Sequence, residues 1–71
     1  MKSPLDRFRM YFEFANLPPR LGDAAAPFWN LADFLIKDYD PKKNDLAETE
    51  MALRKLLEAK DCAVRAVMGK P

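Results

Sequence analysis

The aromatic residues of this chain are confined to its N-terminal part. The sequence has 71 residues, and its one Trp, two Tyr and five Phe all lie within residues 1–39. Residues 46–68 contain no aromatic side chain at all. Aromatic side chains bury about 150–250 Å² each and dominate the energetics of small cores. The N-terminal part must therefore pack on the C-terminal part, either of its own chain or of a neighbouring copy.

The C-terminal part is predicted to be one long helix over residues 46–68. Asp45 and Glu48 have the spacing of a capping box, and Gly69 is typical of a helix end. The helix would be about 35 Å long at about 1.5 Å per residue. Apolar side chains recur on one side of it with helical periodicity. This apolar arc comprises Leu46, Leu53, Leu56, Leu57, Ala63, Val64 and Val67.

Two features of this helix lie outside the plain amphipathic pattern. On the opposite face, Arg54 with Glu58 and Asp61 with Arg65 have the i,i+4 spacing of ion pairs. Lys60 falls in the middle of the apolar arc, where an ammonium is costly unless it is paired or reaches water. Lys60 therefore either extends along the helix surface to solvent or meets an anion in a pocket between subunits.

A shorter helix is predicted upstream, beginning after Asp23 or at Pro27 and ending near Tyr39, before Pro41. Its apolar stripe comprises Phe28, Ala32, Leu35 and Tyr39, with Leu31 and Ile36 beside it. Phe34 projects from nearly the opposite side, which suggests a second contact surface. A short connection at about residues 40–45 makes the two helices an antiparallel hairpin. The difference in helix length leaves part of the apolar arc uncovered, which favours a homo-oligomer.

The residues before this helix alternate in a way that is typical of an extended segment. Over residues 7–14, apolar side chains occupy every second position, and Pro18 and Pro19 end the run. Those alternating residues are Phe8, Met10, Phe12 and Phe14. The predicted fold is therefore mainly α: an antiparallel two-helix hairpin (residues 23–71) with an extended aromatic N-terminal arm (residues 1–22), one domain overall, assembled as a homo-oligomer.

Most enzyme and metal chemistry is excluded by missing residue types. The chain has no His, which removes the commonest general base and metal ligand, and Cys62 has no imidazole to activate it. The segment DYDPKKND at residues 38–45 resembles a calcium loop only in its aspartates, because it lacks the central Gly. We expect no catalytic residues, no metal and no cofactor.

Charge and hydropathy limit the partners further. A net charge of +1 does not provide the basic face that duplex nucleic acid usually requires. No segment has the roughly 18 consecutive apolar residues of a membrane span, and the N-terminus lacks a signal-peptide pattern. One Cys is typical of a reducing compartment. The sequence predicts a soluble intracellular protein without membrane or duplex nucleic-acid partners.

The long helix also resembles a known family. Residues 52–59 read Ala-Leu-Arg-Lys-Leu-Leu-Glu-Ala, which is similar to the Ala-Leu-x-Lys-Leu-x-Glu-Ala core of small phage proteins with a helical-hairpin domain. The pattern YFEF…LPPRL…APFWNLADF, upstream, is similar to short actinophage relatives of that hairpin, so the resemblance spans most of residues 10–66. Lys55 and Glu58 match the family's Lys and Glu, whereas residues 60–63 depart from it by lacking bulky side chains.

The resemblance implies a function. Those phage proteins counter the CBASS and Thoeris defences in the cytoplasm of the infected bacterial host. They are multimeric sponges that sequester nucleotide signals without catalysis. A cyclic oligonucleotide or cyclic ADP-ribose isomer needs cations for its phosphates and a flat ring for its base, at a subunit seam. The candidate ligand-binding residues are Arg9, Tyr11, Lys55, Lys60 and Arg65.

Two other functions stay open from the sequence. The first is a protein–protein interaction module or inhibitor that uses Trp29, Phe34 and the spare apolar arc as its interface. The second is nucleic-acid binding through the N-terminal arm, which the near balance of basic and acidic residues over residues 1–22 makes weak.

Overall fold

The computed structural model describes residues 3–69 as three helices with no strand among them. A 3₁₀ helix covers Asp6–Phe12, helix α1 covers Pro19–Asp38 and helix α2 covers Leu46–Met68. The prediction of a mainly helical fold is confirmed. Helices α1 and α2 pack against each other across the connection at residues 39–45, an arrangement that fits the predicted antiparallel hairpin.

The predicted extended conformation of residues 7–14 is wrong, because most of that segment is the 3₁₀ helix. The turn begins at Ser3. The Ser3 hydroxyl accepts a hydrogen bond from the Leu5 N–H, and the backbone N–H of Ser3 donates to the Asp6 carboxylate. The buried side chains here are Leu5, Phe8 and Phe12, which are spaced three and four residues apart as on one face of a helix. Met10, between two of them, is 65% exposed. The every-second-residue alternation is therefore not the burial pattern of this segment.

Helix α1 begins at Pro19, earlier than the predicted start after Asp23 or at Pro27. Proline fits the first position of a helix, because its missing N–H would have no helical partner there. Pro27 instead lies inside the helix. A proline in a helix interior removes one hydrogen bond at a cost of about 3 kcal/mol. The helix nevertheless continues through Pro27, since tertiary structure regularly overrides local propensity.

Helix α2 has the predicted bounds. Its predicted C-terminal signal at Gly69 is confirmed, and of the predicted capping box the Asp45 half is present. The Asp45 carboxylate accepts from the Glu48 N–H at 2.7 Å. At the other end, the Gly69 N–H donates to the Arg65 carbonyl at 2.7 Å. A Cβ at position 69 would lie 2.6 Å from that carbonyl oxygen, which explains the glycine.

The core forms where the 3₁₀ helix lies across both long helices. Phe12 and Leu53 are fully buried, and Phe8 is 4% exposed. Partly buried apolar side chains of α1 and α2 surround this centre. Its buried members are Leu5, Phe8, Phe12, Ala32, Ile36 and Leu53. The prediction that the aromatic N-terminal part packs on the long helix is confirmed within a single chain.

Two arginines fasten the 3₁₀ helix in place. Arg7 pairs with Glu50 of α2 at 2.9 Å. Arg9 points the other way, and its guanidinium contacts Asp6 at 3.3 Å and also pairs with Asp33 of α1. The 3₁₀ helix is therefore tied to each long helix by a separate ion pair.

Neither α1 nor α2 has a stretch that is apolar enough, over the length required, to cross a membrane; this applies to the described residues.

We predict that Leu53→Ala lowers the free energy of unfolding by about 2–5 kcal/mol, the usual cost of removing a buried leucine side chain. Leu53 is fully buried at the junction of all three helices. Met51→Ala is the matched control, since Met51 lies on the same helix but is 48% exposed. That variant should change stability by less than about 0.5 kcal/mol, as exposed substitutions usually do. Urea denaturation followed by circular dichroism measures both, and equal losses in the two variants would contradict this core.

We also predict an acid-dependent contribution from Asp33. Its hydrogen bond with Arg9, followed by that with Lys37, lowers the pKa of Asp33 below its ordinary value of 3.8. A carboxyl group with a lowered pKa stabilises the folded state above its unfolded pKa and loses that contribution as the pH falls through the folded pKa. Below about pH 4, wild-type stability should therefore fall more steeply than that of Asp33→Asn. Parallel stability profiles for the two proteins as the pH is lowered would contradict it.

Candidate functional site

A cavity of about 310 Å³ lies between the 3₁₀ helix and α2. Its size is at the lower end of the range of small-molecule sites. Its lining combines aromatic rings with side chains of both charges. The lining residues are Arg7, Phe8, Tyr11, Arg54, Leu57, Glu58 and Asp61.

Two guanidinium groups are held over one ring at this cavity. The central guanidinium carbon lies 4.7 Å from the Phe8 ring centroid for Arg7 and 5.8 Å for Arg54. The negative face of an aromatic ring attracts cations, so Phe8 holds two like charges close together. Phe8 is itself fixed in the core, which makes its position rigid.

The two arginines differ in their other partners. Arg7 pairs with Glu50 at 2.9 Å and donates to the Pro4 carbonyl at 3.0 Å. Arg54 forms no ion pair with any residue in the range 3–69. Arg54 is therefore the guanidinium at this cavity whose N–H donors are open to an incoming anion, with Arg7 as a second positive charge beside it.

The acidic side of the cavity comes from the following turns of α2. Asp61 pairs with Lys60 at 3.0 Å, whereas Glu58 has no ion-pair partner within the described chain. The cavity thus offers donors for an anion at one end and a carboxylate that can accept hydrogen bonds at the other. A nucleotide carries both kinds of group, its phosphates and the N–H and O–H donors of its base and sugar.

Of the predicted ligand-binding residues, Tyr11 lines this cavity and Arg9 does not. Tyr11 is 51% exposed and lies on the same wall as Phe8. Arg9 is turned toward α1, where the hydrogen bond with Asp33 raises the pKa of Arg9 above its ordinary value. Arg9 therefore fastens the 3₁₀ helix to α1 and lines neither of the cavities described here.

The three predicted residues on α2 point in different directions. Lys55 is exposed, lies on the side of the helix away from buried Leu53 and does not line the cavity. The Lys60 side chain is only 15% exposed and its ammonium pairs with Asp61. Arg65 is exposed, one turn beyond Asp61, and donates to the Cys62 sulfur at 3.3 Å. The cavity thus adjoins Lys60 through Asp61 but is not lined by any of these three residues.

The predicted i,i+4 ion pairs of α2 are wrong. Arg54 does not pair with Glu58, because its guanidinium lies over Phe8. Asp61 does not pair with Arg65, because it pairs with Lys60. The sequence pattern predicts an ion pair between Arg54 and Glu58 and therefore does not identify Arg54 as a residue of the cavity. Its position beside Phe8 depends on the 3₁₀ helix, and the alternation at residues 7–14 gave no signal of it.

A second cavity, of about 450 Å³, lies where the chain turns from the 3₁₀ helix into α1. The Leu17 N–H donates to the Phe14 carbonyl at 3.1 Å and closes this turn. The rings of Phe14 and Trp29 meet edge to face, with centroids 6.5 Å apart and planes at 63°. The cavity is lined by Glu13, Phe14, Ala15, Asn16, Leu17 and Trp29.

Within residues 3–69, no group of three or more His, Cys, Asp or Glu side chains could hold a metal ion. Cys62 is a free, exposed thiol on α2.

Comparison with known proteins identified no relative of this chain. No protein-family model, no curated protein and no solved structure matches the chain.

Proposed function

We propose that the protein binds nucleotide immune signals and sequesters them without converting them. The ligands would be cyclic oligonucleotides or cyclic ADP-ribose isomers, in the cytoplasm of an infected bacterium. The observation that carries the proposal is Arg54, a guanidinium over Phe8 with no ion-pair partner in the described chain. The resemblance of residues 52–59 to the phage sponges supports the same function.

In this proposal, several side chains that line the cavity interact with particular parts of the nucleotide. Arg54 donates to a phosphate, and Arg7 adds positive charge without leaving Glu50. Tyr11 offers a half-exposed ring for a base. Glu58 accepts from a sugar hydroxyl or a base N–H. This lining set pairs no nucleophile with a general base, so binding without catalysis is the activity it supports.

We further propose that the chain forms a homo-oligomer through the face of the hairpin opposite the 3₁₀ helix. Two uncharged stripes with alternating spacings of three and four residues run along this face, as in helix–helix seams. On α1 the stripe is Leu21, Ala24, Phe28, Leu31 and Leu35. On α2 it is Ala52, Leu56, Ala59, Ala63 and Ala66. Phe28, Leu35 and Leu56 already pack partly against the core, but no residue of the two stripes is fully buried in the single chain. Leu31 is 49% exposed.

A second copy of the chain fits this face for two reasons. The α1 stripe carries mainly large side chains and the α2 stripe mainly small ones, so a two-fold axis would place large against small in both halves. The molecule measures 47 × 20 × 15 Å. Its broad face therefore limits a contact to roughly 900 Å², so a stable interface of about 800 Å² per partner would use most of that face. The pairing would leave the Arg54 cavity on the outer side of each chain.

A second candidate function is a protein–protein interaction module. Phe34 is 58% exposed on α1, as the sequence predicted, and lies beside the stripe that contains Leu31. Large exposed aromatic residues are typical anchors of protein interfaces. A monomeric chain that binds no nucleotide would favour this function.

We predict that Arg54→Gln weakens nucleotide binding by about tenfold to a hundredfold, because it removes a charge-assisted hydrogen bond worth about 1.5–3 kcal/mol. Calorimetric titration with a panel of cyclic di- and trinucleotides and cyclic ADP-ribose isomers measures this. The fold should persist, since Arg54 contributes no ion pair to the described chain.

Two further variants locate the effect. Arg20→Gln removes an exposed arginine of α1 that lines neither cavity, and its affinity should equal that of the wild type. Lys55→Gln tests the residue that matches the phage family, and we expect little change because Lys55 does not line the cavity. A large loss in Lys55→Gln with none in Arg54→Gln would move the site to another face of α2.

We predict that the wild-type chain sediments as an oligomer at micromolar concentration and that Leu31→Glu converts it to a monomer, because a carboxylate in the apolar stripe would be desolvated. Met10→Glu is the matched control, since Met10 is 65% exposed but lies on the 3₁₀ helix, away from the proposed interface. Sedimentation velocity distinguishes the species. A wild-type monomer of 8.2 kDa would overturn the proposed interface.

A further inference from the structure

We propose that the cavity around Trp29 binds the base of a nucleotide and selects guanine through the carboxylate of Glu13. This inference rests on the proposed function and concerns a different part of the surface from the Arg54 cavity. It names the base that the protein would prefer.

The walls of this cavity suit a flat, largely apolar ring. Its volume of about 450 Å³ exceeds that of the Arg54 cavity. That volume is within the range of small-molecule sites. Trp29 is half-buried, and its edge contact with Phe14 limits its motion. Bases stack on such rings irrespective of their identity, so the ring provides affinity and the polar groups nearby must provide selectivity.

Three polar groups at this cavity have no hydrogen-bond partner within residues 3–69. They are the carboxylate of Glu13, the amide of Asn16 and the indole N–H of Trp29. Glu13 and Asn16 are both exposed, so they are accessible to a ligand. A carboxylate repels phosphate and accepts hydrogen bonds through two oxygens. It is therefore suited to the base of a nucleotide and not to its phosphate.

Guanine is the base whose edge matches a carboxylate. Its N1–H and its 2-amino group are adjacent donors and can reach both oxygens of one carboxylate. Adenine, cytosine and uracil have no two adjacent donors on that edge. An acceptor lies next to their single donor group and would face the negative charge. A hydrogen bond to a charged group is one of the stronger kinds, so a base that turns an acceptor toward Glu13 is disfavoured even though this carboxylate is accessible to water.

The two cavities are close along the chain. Tyr11 lines the Arg54 cavity and Glu13 lines the Trp29 cavity, so residues 11–13 separate them. Each cavity can nevertheless be tested alone, because they share no lining residue.

Trp29 is the single tryptophan of the chain, so its fluorescence reports on this cavity directly. The full-length protein is titrated with GMP, AMP, cyclic di-GMP and cyclic di-AMP, and affinities are measured by calorimetry in parallel. We expect the guanine ligands to quench Trp29 fluorescence and to bind at least tenfold more tightly than their adenine counterparts. Equal affinities for guanine and adenine ligands would overturn the proposal.

Variants assign the preference to named side chains. Glu13→Gln should lose at least tenfold in affinity for the guanine ligands and little for the adenine ones. Glu48→Gln is the matched control, an exposed glutamate on α2 that lines neither cavity, and it should keep the preference. Trp29→Leu should lower the affinity for every nucleotide, whichever base it carries. Trp29→Phe retains an aromatic ring and should keep most of the wild-type affinity. Circular dichroism checks that each variant is folded.

The Arg54→Gln variant separates this inference from the proposed function. Nucleotide binding that requires Arg54 but is unchanged in Glu13→Gln and Trp29→Leu would overturn the guanine site and leave the proposed function standing. Guanine binding that requires Glu13 and Trp29 but not Arg54 would support the guanine site and remove the Arg54 cavity from the function. Absence of binding by every nucleotide would overturn both.

Discussion

The fold depends on the contact of the aromatic 3₁₀ helix with the seam between the two long helices. Helix α2 contributes a single buried side chain, Leu53, and the residues that α1 buries are mainly small. Two such helices alone would leave a thin core, and a chain of 71 residues buries a limited fraction of its surface in any case. Phe8 and Phe12 supply the missing volume at the one place where all three helices meet.

The charges around this contact orient it. Arg7 and Arg9 are two positions apart on the 3₁₀ helix, yet one pairs with α2 and the other with α1. Such partly exposed pairs contribute little to stability individually, but they fix the rotation of the 3₁₀ helix about its axis. With that rotation fixed, Phe8 presents its ring to Arg54, and Tyr11 lies on the wall of the same cavity. The candidate site is a consequence of how the core is closed.

The long helix can be predicted closely from the sequence, whereas the N-terminal part cannot. Asp45 and Gly69 act through backbone hydrogen bonds a few residues away, so local sequence determines the bounds of α2. Residues 7–14 have a pattern compatible with two periods, and packing against two other helices selects the 3₁₀ turn. Pro27 resembles a helix start in the sequence, because proline is favoured in the first turn of a helix, and only the structure shows that α1 continues through it.

The same distinction explains the site residues. The sequence predicts that Tyr11 faces a ligand, and Tyr11 does line a cavity. Arg9 is predicted to bind the ligand, but it forms ion pairs with Asp6 and Asp33. Arg54 is predicted to form an ion pair, but it has none in the described chain and lies over Phe8. Arginines have equivalent chemistry in a sequence, and only their neighbours in space decide which is already neutralised. Those neighbours belong to other helices, so no local pattern identifies them.

The 3₁₀ helix serves both as the closing layer of the core and as one wall of the Arg54 cavity. A substitution of Phe8 on that wall would therefore also alter the folding equilibrium. Exposed positions of α2 such as Glu58 take no part in the core. Under the proposed function, we infer that new ligand preferences would arise most readily through α2, while the core role of the 3₁₀ helix limits its evolvability.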